Sequence, residues 1–300
     1  MTDTTIQPTG QSSDAADREA SSQAGAEAQS SATPQQTHGQ LVIIGGAEDR
    51  EGDCTILREF VRRAGSLNAR IVIMTVATSL PDEVGRTYTG VFERLGVESV
   101  EVVDTKDRQD GENSDALAKL KEATGVFFTG GDQRRITECL KDSGIHKLLL
   151  HRLRNEGLVI GGTSAGAAMM PDNMIAEGDS ETNARMDVVE IEEGMGFFPN
   201  VAIDQHFAQR GRLGRLVTAI SLQPVVLGFG IDENTAIIVN GDEIEVVGES
   251  AVTVLDVEDM THSNIHGVLK DEPLALCDAK LHILPNGYRY NLKTRTAICK

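Results

Sequence analysis

From Leu41 onward, short apolar runs alternate with segments of helical spacing, and this alternation predicts an element order. Leu41–Ile44, Arg70–Val76, Val97–Val103, Val126–Phe128 and Leu158–Ile160 are predicted strands. Between them, the stretches 53–64, 82–95, 115–122 and 133–140 place apolar residues on one side of a helix and charged residues on the other. Strand followed by helix, repeated, predicts an α/β fold: a mostly parallel central sheet with right-handed crossovers and helices on both faces. After about residue 225 the texture changes. Val225–Ile231, Ala236–Val239, Glu243–Val247 and Ala251–Leu255 follow one another with Asn240-Gly241 and Gly248 between them, which predicts antiparallel hairpins appended to the sheet. Leu276–Leu284 and the segment from Tyr288 continue in the same style. Residues 1–39 show neither period. They are rich in Ser, Thr, Gln, Ala, Asp and Pro, lack aromatics, and cannot bury enough surface to offset chain entropy. A disordered, low-complexity tail over 1–39 and a single α/β domain over 40–300 are expected.

Composition narrows the partners. The chain has 300 residues, 40% of them hydrophobic, and no tryptophan, so a large aliphatic core of the kind that covers a parallel sheet is available. Its net charge of -18 argues against a nucleic-acid partner, because replacing counterions on phosphates needs a basic face. The tail carries five acids and one base, so most of the negative charge lies beyond it. The four cysteines are scattered without a CxxC pair, which disfavours a zinc ribbon or a disulfide framework and suits a reducing compartment. No run is apolar and long enough for a bilayer, and no basic start precedes an apolar stretch. The expectation is a soluble, cytoplasmic protein without a membrane partner.

The chemistry concentrates where strands end. Val159-Ile160-Gly161-Gly162-Thr163-Ser164-Ala165-Gly166-Ala167 is an apolar strand running into a G-x-S-x-G turn and then into small residues that can start a helix. Such a turn projects Ser164 as a nucleophile and aims the Ala165 N–H at a developing oxyanion. Of seven histidines, His206 stands out, because Val201-Ala202-Ile203-Asp204-Gln205-His206-Phe207 is another apolar strand ending in polar residues. His146 and His151, beside Lys147, Arg152 and Arg154, look like a solvated helix face. An acid should orient the imidazole. Glu233, after Gly228-Phe229-Gly230-Ile231-Asp232, is the first candidate, with Asp232, Asp179 and Glu181 as competitors. Gly130-Gly131-Asp132-Gln133 follows a further strand, so Gly131 is a candidate second oxyanion donor and Gln133 a contact for substrate amides. Arg210, Arg212 and Arg215 follow His206 at near-helical spacing, a basic cluster suited to binding substrate carboxylates. Gly45-Gly46-Ala47-Glu48-Asp49 repeats the strand-plus-glycines design at the first strand.

Taken together, the sequence resembles the cyanophycinase family, serine hydrolases related to peptidase E and, more distantly, to class I glutamine amidotransferases. The resemblance runs from about Gln40 to near the C-terminus. It rests on Ile43-Ile44-Gly45-Gly46-Ala47-Glu48-Asp49, Phe128-Thr129-Gly130-Gly131-Asp132-Gln133, Gly162-Thr163-Ser164-Ala165-Gly166-Ala167-Ala168, Asp204-Gln205-His206-Phe207 and Gly230-Ile231-Asp232-Glu233. It implies a flavodoxin-like or amidotransferase-like fold and hydrolysis of cyanophycin, a poly-aspartate backbone with arginine on each β-carboxyl, to β-aspartyl-arginine dipeptides. The implied triad is Ser164, His206 and Glu233, with Gln133, Asp204, Gln205, Arg210, Arg212 and Arg215 in the substrate pocket. The resemblance also implies a homodimer, and the chemistry calls for no metal or organic cofactor. An aspartyl or isoaspartyl dipeptidase of the peptidase E type is the alternative activity.

Overall fold

The computed structural model of the chain describes residues 39–180, 182–223 and 227–300. The tail assigned to 1–39 therefore lies, but for Gly39, outside the described residues, as does Glu181. Five strands form the parallel part of a nine-stranded sheet: β1 (Gln40–Ile44), β2 (Arg70–Met74), β3 (Ser99–Val103), β4 (Gly125–Phe128) and β5 (Val159–Thr163), in spatial order β1-β5-β4-β2-β3. Helices α1 (Thr55–Arg63), α2 (Pro81–Arg94), α3 (Ser114–Glu122), α4 (Gln133–Leu140) and α5 (Gly144–Asn155) connect them.

Side chains alternate across these strands, so each strand feeds two cores. Val42, Ile44, Ile71, Ile73 and Phe127 meet Leu57 and Phe60 of α1 and Tyr88 and Phe92 of α2 on one face. Leu41, Ile43, Val72, Met74 and Phe128 meet Leu120 of α3, Ile136 of α4 and Leu149 of α5 on the other. β5 continues past Ile160, where the sequence suggested it would stop, because Gly161, Gly162 and Thr163 stay in register with Val42, Ile43 and Ile44 of β1. The turn is thereby confined to Ser164, and a short helix, α6 (Ala165–Ala168), begins at the next residue.

The later strands divide between sheets. After the two-stranded hairpin β6 (Asn173–Gly178) and β7 (Val189–Glu193) comes β8 (Val201–Gln205), then α7 (Leu213–Leu222) and β9 (Leu227–Ile231), which lies parallel to β8. β10 (Thr235–Asn240) and β11 (Glu243–Gly248) form the expected hairpin and extend the main sheet from β1. β12 (Ala251–Asp256) returns to β9. β13 (His262–Ser263) and β14 (Leu276–Cys277) pair with each other; β15 (Lys280–Pro285) pairs with β12. β16 (Arg289–Asn291) and β17 (Thr296–Ile298) complete the main sheet.

One expectation is corrected. Residues 225 and 226 lie outside the described residues, and the rest of that run, β9, is not an arm of a hairpin with the strand after it. β9 sits in a separate four-stranded sheet of order β15-β12-β9-β8, and residues 232–234 carry the chain across to the main sheet. Among the described residues, no helix is long and apolar enough to cross a membrane.

Candidate active site

The parallel pairs β1/β5 and β8/β9 end at one place, and the loops leaving their carboxyl ends assemble the site. β1 and β5 are neighbours, yet the chain leaves β1 for α1 on one face and leaves β5 for α6 on the other. Adjacent strands that part in this way open a crevice at their carboxyl ends. Ser164 stands there with φ 52° and ψ -109°, a conformation costing a non-glycine residue on the order of 1–3 kcal/mol. The strand on one side and α6 on the other offset this cost, and the turn aims Oγ into the crevice.

Ser164 Oγ lies 3.0 Å from His206 Nε2, and His206 Nδ1 lies 2.5 Å from Glu233 Oε1. Parallel pairing explains the second contact: Gln205 is opposite Ile231 in the β8/β9 register, so the residues just beyond both strands emerge side by side. With Glu233 on Nδ1, the imidazole carries its proton there and presents Nε2 to the serine. Burial, opposed by the Glu233 hydrogen bond and reinforced by the nearby Arg210 charge, holds the His206 pKa below its usual value. The ring is therefore neutral and basic at neutral pH.

The first strand holds this arrangement together. Three consecutive carbonyls at its end accept from the three loops that bear Ser164, His206 and Glu233: Ile44 O from Ser164 N–H at 3.1 Å, Gly45 O from His206 N–H at 2.7 Å, and Gly46 O from Asn234 N–H at 2.8 Å. Gly46 also lies flat against the imidazole. A Cβ there would come within 2.9 Å of Cε1, Nε2 and Nδ1 of His206. The sequence showed the Gly45-Gly46 pair but not this role, which depends on two strands more than 150 positions downstream.

The competing acids separate clearly. Asp232 is buried and accepts from Ala208 N–H at 2.9 Å and Ser250 Oγ at 2.7 Å, so it ties loops together. Asp179 is exposed near the end of β6, its N–H donating to Val188 O, and it makes no hydrogen bond to His206. Glu181 lies outside the described residues. Glu233 is the acid that touches the His206 ring.

The candidate oxyanion donors, the N–H groups of Ala165 and Gly131, donate to no protein acceptor among the described residues. Gly131 takes φ 146°, and Gly130 beside it lies against Ser164, with room of only 3.4 Å between an added Cβ and the serine Cβ. Gln205 Oε1 is 3.5 Å from Ser164 Oγ. Gln133 uses its amide nitrogen on the Ile175 and Ala176 carbonyls of β6, which leaves its oxygen for other partners.

The three arginines do not form one surface cluster. Arg215 and Arg212 are each 6% exposed and Asp204 is 1% exposed. Arg215 Nε donates to Asp204 Oδ2 at 2.8 Å and Nη1 to Gly178 O at 3.2 Å. Arg212 donates to Gln205 O at 2.6 Å and to Ser180 Oγ at 3.3 Å. Burial pushes the Arg212 pKa down to about 10, against the pull of Asp204, and leaves it charged at neutral pH. This ionic core binds the end of β8 to the end of β6. Arg210, by contrast, is exposed one turn from His206.

His146 also departs from expectation. It is buried, accepting from Asp142 N–H at 3.0 Å and contacting Met195 O at 2.7 Å, and burial holds its pKa below the usual value. It is a structural histidine rather than part of a solvated face. A cavity of about 580 Å³ bounded by Glu48, Asp49, Arg50, Thr87, Val91 and Arg94 is not lined by Ser164, His206 or Glu233. Among the described residues, no three His, Cys, Asp or Glu side chains converge as a metal site.

Residues 41–247 match the model of Peptidase family S51. The sequence is 40% identical over 267 residues to the cyanophycinase of Trichormus variabilis, covering 89% of this chain and 90% of that relative. It is 40% identical over 257 residues to the cyanophycinase of Synechococcus elongatus, covering 85% and 80%. Among solved structures, a peptidase from an acI-B1 Actinobacterium has the same fold, with a TM-score of 0.63 at 19% identity over 86% of this chain and 98% of the other.

Proposed function

The chain belongs to peptidase family S51 and is a serine-type peptidase, and from this we propose that it hydrolyses cyanophycin to β-aspartyl-arginine dipeptides, acting as an exopeptidase. The observation that carries the reading is the unbroken contact chain from Ser164 Oγ through the His206 ring to Glu233.

In this reading each residue has a task. His206 Nε2 takes the Ser164 proton as Oγ attacks a backbone amide carbonyl between aspartates. Charge developing on that carbonyl oxygen is met by the Ala165 and Gly131 N–H groups, for which no protein acceptor competes among the described residues. Glu233 stabilises the imidazolium, which then delivers its proton to the leaving amine. Water, activated by the same His206, releases the acyl group from Ser164. Every proton in this cycle passes through His206.

Substrate contacts belong to the same reading. Arg210 is the exposed guanidinium near the triad and takes an arginine α-carboxylate of the polymer. Gln205 and Gln133 contact substrate amides. Arg212, Arg215 and Asp204 serve the pocket by fixing the β8 end that carries Gln205 and His206. The protein acts as a cytoplasmic homodimer without a nucleic-acid partner; sedimentation at micromolar concentration would reveal a monomer if the dimer is wrong.

The decisive experiment is the mass of the products released from purified cyanophycin. A β-aspartyl-arginine peak that disappears in Ser164→Ala is expected. Turnover confined to free aspartyl or isoaspartyl dipeptides would replace this reading with the peptidase E-type activity, and undiminished hydrolysis by Ser164→Ala would refute the mechanism.

A further inference from the structure

Glu48 is a carboxylate only 4% exposed, and the proposed catalytic cycle gives it no task. Its two oxygens take hydroxyl partners from different parts of the fold. Oε2 accepts from Thr163 Oγ1 at 2.5 Å, and Oε1 accepts from the Tyr88 hydroxyl of α2. A buried carboxylate is costly unless its oxygens are well satisfied, and an amide of equal size would fill the same space. What the carboxylate alone offers is acceptance on both oxygens, so both hydroxyls point inward at once. Burial and the neighbouring Glu48 charge raise the Tyr88 pKa well above its usual value, which keeps the phenol a donor.

The position of Thr163 gives this contact its meaning. Thr163 ends β5, and the peptide joining it to Ser164 sets the φ of 52° that presents the nucleophile. Glu48 itself follows Gly45 and Gly46, whose carbonyls hold His206 and Asn234. One short loop thus grips the base from one end and the nucleophile's turn from the other. We propose that Glu48, held by Tyr88, is a positioning residue for hydrolysis, clamping Thr163 so that Ser164 keeps its turn and its Oγ stays on His206 Nε2. The inference rests on the proposed serine mechanism and deepens it.

Three substitutions in the full chain test it: Thr163→Val, Tyr88→Phe and Glu48→Gln. Each is assayed for kcat and KM on cyanophycin, for the rate of Ser164 labelling by a fluorophosphonate, and for the acid limb of the pH profile. Misplacing a reacting group by about 1 Å can cost on the order of a hundredfold. Thr163→Val is expected to lower kcat by about tenfold or more and slow labelling by the same factor, with KM within about twofold. The acid limb should stay in place, because the His206–Glu233 contact is untouched. Glu48→Gln should lose at least as much, and adding Thr163→Val to it should cost little more, since both act through one contact. Tyr88→Phe should lose a few-fold. A general loss of packing would instead lower melting temperature without this split. If Glu48→Gln does not fold, Thr163→Val and Tyr88→Phe, near-isosteric with the native side chains, decide. Folded Thr163→Val and Tyr88→Phe with kcat and labelling within about twofold of wild type would overturn the inference. A wild type that neither labels nor hydrolyses the polymer would instead overturn the proposed function.

Discussion

At the scale of single residues, the proposed mechanism depends on a histidine kept neutral by burial and kept in place by an acid. Because the His206 pKa lies below its ordinary value, kcat/KM should be flat near neutrality and fall as pH drops through a point below about 6.5, where the ring protonates and can no longer take the serine proton. Glu233 opposes the lowering. Glu233→Gln removes that support, so the acid limb should move to lower pH while the plateau falls by about 10²–10⁴-fold. A pH–rate profile of both proteins checks the two effects together, and a limb that moves upward would assign the acid's role elsewhere. The sequence singled out Ser164 and His206, because each ends an apolar run in polar residues, and the structure brings their side chains within 3.0 Å. The sequence ranked Glu233 first but left Asp232 as a competitor, since neighbours after one strand differ only in the direction their side chains leave the backbone. Nor could it assign Glu48, whose partners are 40 and 115 positions away.

At the scale of elements, four of the five parallel strands were readable as buried apolar runs bounded by glycines or polar residues, and β3, with Glu101 at its centre, by its alternating valines. The second sheet was not. β9 and β10 are both largely buried apolar runs separated by three residues, so nothing local distinguishes a hairpin turn from a crossing between sheets. That crossing matters, because it lays Glu233 beside His206. The meeting of β1 with the His206 loop makes Gly46→Ala a test of close approach. The variant should fold but drive a methyl group into the imidazole, displacing Nε2 and lowering kcat by roughly a hundredfold. A crystal structure showing an unmoved ring with full activity would count against that. Asp204→Asn, at the junction of β8 with α7, should act on stability instead. It strips a fully buried carboxylate from Arg215 and Arg212, and breaking a buried pair from one side costs about 3–5 kcal/mol. Differential scanning calorimetry should register a drop on the order of 10 °C in Tm. An unchanged Tm would mean that water reaches the pair.

At the scale of the whole molecule, acids exceed bases by 46 to 28, and it is tempting to read this as attraction for an arginine-rich polymer. The chemistry of the proposed substrate argues otherwise. When arginine is joined through its α-amine to each β-carboxyl of poly-aspartate, every repeat carries one guanidinium and one free carboxylate, so the chain is close to neutral overall. A net protein charge of -18 then exerts little long-range pull, and binding must come from local pairs such as Arg210 with a carboxylate. Such contacts, made at hydrogen-bond range, are less sensitive to screening than charges more than about 8 Å apart at physiological ionic strength. The KM for short soluble β-aspartyl-arginine oligomers should therefore change by less than about threefold between low and high salt. Polyarginine of matched length keeps the cations but lacks the carboxylates. It should inhibit at low salt and weaken more than about tenfold as salt rises. Titration of both ligands across the same salt series provides the check. If oligomer and polyarginine weaken in parallel, net charge governs capture of the substrate, and the paired local recognition assigned to Arg210 is wrong.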